Sequence, residues 1–96
     1  MKVVDESSDI RCVSGLGLIR EEVWVDAQGE VKRYNLAFIN HFLSRTDNGR
    51  VVAYDNSHGY HHRHFKGVSA AFDYTGYDNV QARFEAEVRL LREELP

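Results

Sequence analysis

The sequence predicts an α+β fold, an antiparallel β-meander of about four strands with one C-terminal amphipathic helix packed on the sheet. Three turn segments rich in Gly, Asn and Asp, at 26–29, 46–49 and 55–59, separate stretches of β-branched and aromatic residues, as in successive hairpins. Apolar residues then recur at spacings of three and four over 78–95, which indicates an amphipathic helix. A chain of 96 residues is expected to form a single domain, 1–96.

The turns delimit the predicted strands. The segment 30–43, EVKRYNLAFINHFL, carries apolar residues on both faces and is expected to be a central strand, with Phe42 on the same face as Tyr34. Residues 1–13 are expected to form an N-terminal arm or a short strand. The four strands are predicted at 18–25, 30–43, 50–55 and 60–66.

The C-terminal helix is predicted to begin at Asp78, a plausible N-cap with Gln81 three residues later as its capping-box partner. Glu87 is expected on the face toward water. A lone helix of this length is marginal in water, so its apolar stripe must be buried against the sheet. That stripe consists of Val80, Phe84, Val88, Leu91 and Leu95.

Composition restricts the classes of function. The net charge of −3 and the isoelectric point of about 5.9 argue against a protein coated with positive charge for non-specific DNA binding. The start of the chain lacks the pattern of a signal peptide, and the apolar stretches are shorter than the roughly 20 residues that span a bilayer. A single cysteine fits a reducing compartment. We therefore expect a cytoplasmic protein without a membrane partner.

One hairpin, 51–67, collects four of the five histidines of the chain. Alternate residues of a strand share a face, so His62 and His64 project together with Cα atoms about 6.5–7 Å apart, while Arg63 projects the other way. The sequence does not determine the register between the strands 50–55 and 60–66. An even-length loop places both histidines on the face of Ala53, whereas a bulge places them beside Tyr54.

Two imidazoles on one face predict metal-independent RNA cleavage. His62 and His64 would transfer protons to and from an RNA phosphodiester, and Arg63 would stabilise charge on the phosphate. This arrangement requires no cofactor. Asp55 and Asn56 would set the turn or orient an imidazole. The residues predicted to bind or orient the substrate are Tyr54, Asp55, Asn56, His58, His61 and Lys66.

Three other interpretations remain open from the residues alone. In the first, the hairpin is a metal site, in which Asp55 and His58 accompany the histidines of the HHRH run. No Cys pair or HExxH motif accompanies this run. In the second, the hairpin is a non-enzymatic module that binds a partner protein or nucleic acid. In the third, the histidines are the solvated face of an edge strand. An exposed edge strand or the region of Trp24 would also suit a homodimer.

The hairpin further resembles the YDN…G…HRH signature of the TumE family of small bacterial toxins. The similar segment is YDNSHGYHHRHF, 54–65, preceded by a strand reading YNLAFI and followed by a C-terminal amphipathic helix. The resemblance implies the toxin of a toxin–antitoxin pair, neutralised by a helix-turn-helix antitoxin. Ribonuclease action is inferred from the two-histidine geometry and not from the family. The residues that carry the resemblance are Tyr54, Asp55, Asn56, Gly59, His62, Arg63 and His64.

Overall fold

The computed structural model describes residues 1–96 and consists of one six-stranded antiparallel sheet with a single helix packed on it. The strands lie in chain order, so each one pairs with its neighbours in the sequence. The α+β class and the packed C-terminal helix are confirmed, whereas the expected number of strands, about four, is too low. The elements are β1 Lys2–Ile10, β2 Gly17–Val25, β3 Val31–Ile39, β4 Arg50–Asp55, β5 His62–Phe65, β6 Val68–Ala71 and α1 Tyr77–Leu91.

The two additional strands, β1 and β6, lie at the edges of the sheet, where sequence patterns are weakest. β1 is exposed along most of its length, so its acidic and serine-rich sequence shows no apolar alternation. β6 follows β5 through a two-residue turn, in which Lys66 and Gly67 both have positive φ. A Cβ at Gly67 would lie 2.6 Å from Thr46 Oγ1, so this turn requires glycine.

β3 ends at Ile39, four residues before the predicted boundary at 43, because Asn40 starts a turn. The Asn40 side-chain oxygen accepts the backbone N–H groups of Phe42 at 2.9 Å and Leu43 at 3.3 Å. This local bonding competes with a continued ladder. The predicted placement of Phe42 on the face of Tyr34 is wrong, since its side chain is exposed.

The hydrophobic core lies between α1 and one face of the two central strands. Even-numbered residues of β3 and β4 point to this face, as the period of two in a strand requires. The Tyr54 ring meets the ring of Phe84 edge-on, with centroids 6.3 Å apart. The buried residues on this face are Tyr34, Leu36, Phe38, Val52 and Tyr54 of the sheet and Val80, Phe84 and Val88 of the helix.

The ends of α1 differ from the sequence prediction. The helix begins at Tyr77 after Gly76, and Asp78 lies within the first turn without making a side-chain cap, so its assignment as the N-cap is wrong. The helix ends at Leu91 rather than at 95, so the prediction that Leu95 is buried against the sheet is wrong, and its side chain is exposed. At the end of the helix, the Arg92 carbonyl accepts the N–H of Val13 at 2.8 Å, and the following residues form a tighter turn. No helix of the structure has the length and apolar character needed to cross a bilayer.

Phe84→Ala is expected to lower the free energy of unfolding by about 3–5 kcal/mol, because it empties the centre of the helix–sheet core. The control is Leu90→Ala, which removes an exposed side chain of the same helix and is expected to change that free energy by no more than roughly 0.5 kcal/mol. Urea denaturation followed by circular dichroism measures both. Equal losses in the two variants would contradict the assigned helix face.

Candidate active site

The register of β4 with β5 decides which hairpin side chains meet. Asp55 pairs directly with His62, and Ala53 pairs with His64. This is the register of an even-length loop, one of the two that the sequence left open. The two histidines therefore lie with Asp55 on the face of the sheet opposite α1, whereas Arg63 projects toward the helix.

Asp55 bridges the two imidazoles. Its Oδ1 lies 2.8 Å from His62 Nε2, and its Oδ2 lies 3.1 Å from His64 Nε2. Ser57 donates two further hydrogen bonds to Oδ1, from its backbone N–H at 3.1 Å and its hydroxyl at 2.7 Å. Burial disfavours the charged carboxylate, but the bonds from Ser57 and the two histidines outweigh it and lower the pKa of Asp55. Asp55 thus makes the contacts that an orienting role requires.

His62 is the buried member of the group, with a side chain that is 5% exposed. Its Nε2 faces Asp55, and its Nδ1 lies 3.2 Å from the carbonyl oxygen of Tyr60. Both ring nitrogens therefore have polar partners within the protein. The structure does not present His62 to a substrate, so it does not support the predicted pair in which both histidines exchange protons with RNA.

His64 is the accessible imidazole, with a side chain that is 16% exposed. Its Nδ1 lies 3.5 Å from Arg50 Nη2 and 3.9 Å from Asp47 Oδ2. Partial burial lowers the pKa of His64, and the charge of Arg50 lowers it further. The neutral ring fits these contacts when Nε2–H donates to Asp55 and the Nδ1 lone pair faces Arg50. In this tautomer, Asp55 fixes the orientation of the His64 imidazole.

Arg63 lies on the opposite face of the sheet, in a network with Tyr54 and α1. Its guanidinium donates to the Tyr54 hydroxyl at 3.1 Å and forms an ion pair with Glu87. Burial and the neighbouring Glu87 raise the pKa of Tyr54 to about 12. The structure therefore separates Arg63 from both imidazoles of the cluster. It also corrects the expectation that Glu87 faces water, since this carboxylate joins the helix to the sheet.

Arg50 is the cation that the sequence analysis missed at this site. Its Nε and Nη2 donate to the two carboxylate oxygens of Asp47, at 3.0 and 2.8 Å. A cleft of about 200 Å³ lies beside it. Nothing in the local sequence marks Arg50, because its approach to His64 depends on the strand register. The cleft is lined by Arg33, Tyr34, Asn35, Arg50, Asp55 and Ser57.

Asn56 and His58 have places in the turn between β4 and β5. The Asn56 amide accepts the N–H of Tyr34 at 3.0 Å and donates to the carbonyl of Lys32 at 2.9 Å, so it continues the ladder of β3. His58 has a φ of 62° and an exposed side chain. The structure therefore assigns Asn56 a part in setting the turn and leaves His58 outside the cluster.

His61 and Lys66 are also held away from the cluster. His61 stacks on Tyr74, with ring centroids 3.8 Å apart, and its Nδ1 lies 2.7 Å from the Tyr34 hydroxyl on the helix side. Burial lowers the pKa of His61, as does the nearby His62. Lys66 donates to Glu94 at 2.9 Å. Of the four histidines of the hairpin, His62 and His64 share a site, whereas His58 and His61 lie outside it.

Comparisons with models of protein families, with curated proteins and with solved structures find no match to this chain. Its resemblance to the TumE family therefore stays a prediction that rests on the hairpin residues.

Arg63→Ala is expected to lower the free energy of unfolding by about 1–3 kcal/mol, because the half-buried Glu87 loses its closest guanidinium partner and keeps only Arg83, at 3.8 Å. Lys66→Ala, which removes a more exposed ion pair on the same hairpin, is the control and is expected to cost roughly 0–1 kcal/mol. Chemical denaturation measures both. A smaller loss for Arg63→Ala than for Lys66→Ala would argue against a structural role for Arg63.

Proposed function

We propose that this chain is an RNA-cleaving toxin of a bacterial toxin–antitoxin pair and that His64 is the base of its site. The observation that carries the proposal is the carboxylate of Asp55, which holds the partly exposed imidazole of His64 beside the guanidinium of Arg50. A fixed base next to a cation is the arrangement that cleavage of a charged phosphodiester requires.

RNA suits this site because its ribose 2′-hydroxyl is an internal nucleophile. His64 Nδ1 takes the proton of that hydroxyl, and the 2′-oxygen attacks the adjacent phosphorus. The bond from phosphorus to the 5′-oxygen breaks, and this oxygen takes a proton from water. A 2′,3′-cyclic phosphate remains on one product. The hydroxide left from that water takes the proton from His64 and restores the base, so the reaction uses protein side chains, the substrate and water.

Asp55 and His62 support this chemistry as positioning residues. A hydrogen bond from His64 Nε2–H to Asp55 keeps the proton on that nitrogen and leaves the lone pair on Nδ1, where the base is needed. His62 holds the other carboxylate oxygen at 2.8 Å. The buried histidine therefore fixes the direction of the carboxylate, and the carboxylate fixes the direction of the base.

Arg50 and Arg33 supply the positive charge for the phosphate. Arg50 uses Nε and Nη2 for Asp47, which leaves Nη1 for a phosphate oxygen. Arg33 packs over the ring of Trp24 at 4.6 Å and lines the same cleft. Two guanidinium groups from adjacent strands thus flank the space next to Asp55.

The resemblance of residues 54–65 to the TumE signature supports the biological part of the proposal. It implies a toxin held inactive by a helix-turn-helix antitoxin, whereas the RNA substrate is inferred from the chemistry of the site. The competing interpretation is a binding module in which the hairpin contacts a partner without catalysis. Removal of His64 distinguishes the two interpretations. A binding module would lose its complex, whereas a catalyst would lose RNA cleavage.

His64→Ala is expected to abolish growth arrest and RNA degradation when the protein is induced in a bacterial host, because the base is lost. His58→Ala, on the same hairpin but outside the cluster, is expected to behave as wild type. Growth, total-RNA integrity and antitoxin binding are scored together, with folding checked by circular dichroism. If His64→Ala loses only antitoxin binding, or if wild-type cells keep intact RNA, the catalytic assignment is wrong.

Arg50→Ala is expected to lower kcat by about 10²-fold, because a preorganised donor to the phosphate is lost from the transition state. The substrate is a short single-stranded RNA, and the same oligonucleotide with 2′-deoxyribose throughout is expected to remain uncut. Arg83→Ala, on the helix side, is the control for general charge and is expected to leave kcat unchanged. Cleavage of the deoxy oligonucleotide would contradict the 2′-hydroxyl mechanism.

A further inference from the structure

The cluster of Asp55, His62 and His64 also has the composition of a metal site. Each residue offers one ligand atom, and these three atoms all lie within 4.8 Å of one another. Two imidazole nitrogens and one carboxylate oxygen suit zinc and similar divalent transition metals. Ligand distances near 2.0–2.2 Å would require only small side-chain movements from this starting arrangement.

The surroundings of His62 favour a cation at its Nε2. The Tyr60 carbonyl oxygen only accepts hydrogen bonds, so the Nδ1 that lies 3.2 Å from it carries a proton. In the neutral ring, Nε2 then presents a lone pair to the lone pairs of Asp55 Oδ1 at 2.8 Å. A metal ion between these two atoms would accept a lone pair from each of them. Bonding of Nδ1–H to a backbone carbonyl is the usual support of a histidine that binds metal through Nε2.

His64 is supported less directly. When Nε2 binds a metal, the ring proton resides on Nδ1, and the nearest carboxylate oxygen is Asp47 Oδ2 at 3.9 Å, beyond hydrogen-bond distance. Arg50 Nη2 lies 3.5 Å from the same nitrogen and is also a donor, so Asp47 must move toward Nδ1 to orient the second imidazole.

The backbone makes this group rigid. Asp55 and His62 are direct cross-strand partners, and His64 follows at the next position on the same face. Ser57 holds the carboxylate with two hydrogen bonds. Three protein ligands leave a fourth coordination position of zinc for water or a substrate oxygen. One of these ligands, Asp55, also lines the cleft of Arg33 and Arg50.

We propose that Asp55, His62 and His64 bind one divalent transition-metal ion of the zinc type. This binding stands on the geometry of the three side chains and is independent of catalysis. A further consequence rests on the proposed function. A metal on Asp55 and His64 Nε2 removes the hydrogen bond that orients the base, so zinc is expected to inhibit RNA cleavage.

The binding experiment uses tag-free protein stripped with EDTA and titrated with Zn²⁺ in a calorimeter. Wild type is expected to take up one equivalent, and Co²⁺ in its place is expected to give visible absorption of a site with histidine ligands. His64→Ala and Asp55→Asn are expected to weaken binding by at least about tenfold. His58→Ala and His61→Ala are the matched controls, because they remove histidines of the same hairpin that lie outside the cluster.

Zn²⁺ should also raise the Tm of wild type and leave that of His64→Ala unchanged, since a ligand that binds only the folded state stabilises it. Absence of stoichiometric Zn²⁺ binding by folded wild type overturns the proposal. So does equal affinity in wild type and both ligand variants, or a loss of affinity in His58→Ala as large as that in His64→Ala.

RNA cleavage with and without Zn²⁺ separates this proposal from the proposed function. Inhibition that EDTA reverses supports both. Stoichiometric binding together with activation supports the metal site and overturns the role of His64 as the base. Stoichiometric binding without cleavage under either condition supports the metal site and overturns the nuclease.

Discussion

The pairing of Asp55 with His62 across β4 and β5 is the constraint on which the candidate site depends. Because side chains alternate along a strand, this one register places both imidazoles of the HRH run with the carboxylate and sends Arg63 to the helix. A slip of one residue would exchange the two faces. It would place Arg63 beside Ala53 on the face opposite α1 and the histidines over the core.

The two faces of the β4–β5 hairpin therefore serve different purposes. On the helix side, Tyr54, Arg63 and Glu87 form a polar link between the sheet and α1 above the aromatic core. On the opposite side, the polar groups surround Asp55 and are not covered by the helix. The network on the helix side holds the hairpin in place, and this gives the groups around Asp55 a fixed geometry.

Charge on this protein is organised locally and not globally. A net charge of −3 argues against a uniformly cationic surface. Nevertheless, Arg33 and Arg50 from adjacent strands line one cleft together with Asp55, whose carboxylate contacts two histidines and a serine. The electrostatics relevant to an anionic substrate are therefore set by a few side chains held by backbone pairing.

The sequence by itself determined the α+β class, the glycine-containing turns, the apolar stripe of the helix and the hairpin on which the candidate site lies. These features are local, since turn chemistry and residue periodicity act over a few positions. The tertiary structure alone decided that Arg50 and not Arg63 approaches His64, that His62 is buried, and that His61 stacks on Tyr74. It also revealed the edge strand β6, and it decided that residues 2–10 form a strand and not an arm, although the exposed sequences of both strands carry little apolar pattern. Each of these outcomes depends on strand register and long-range packing, which are non-local and leave no mark in the order of the residues.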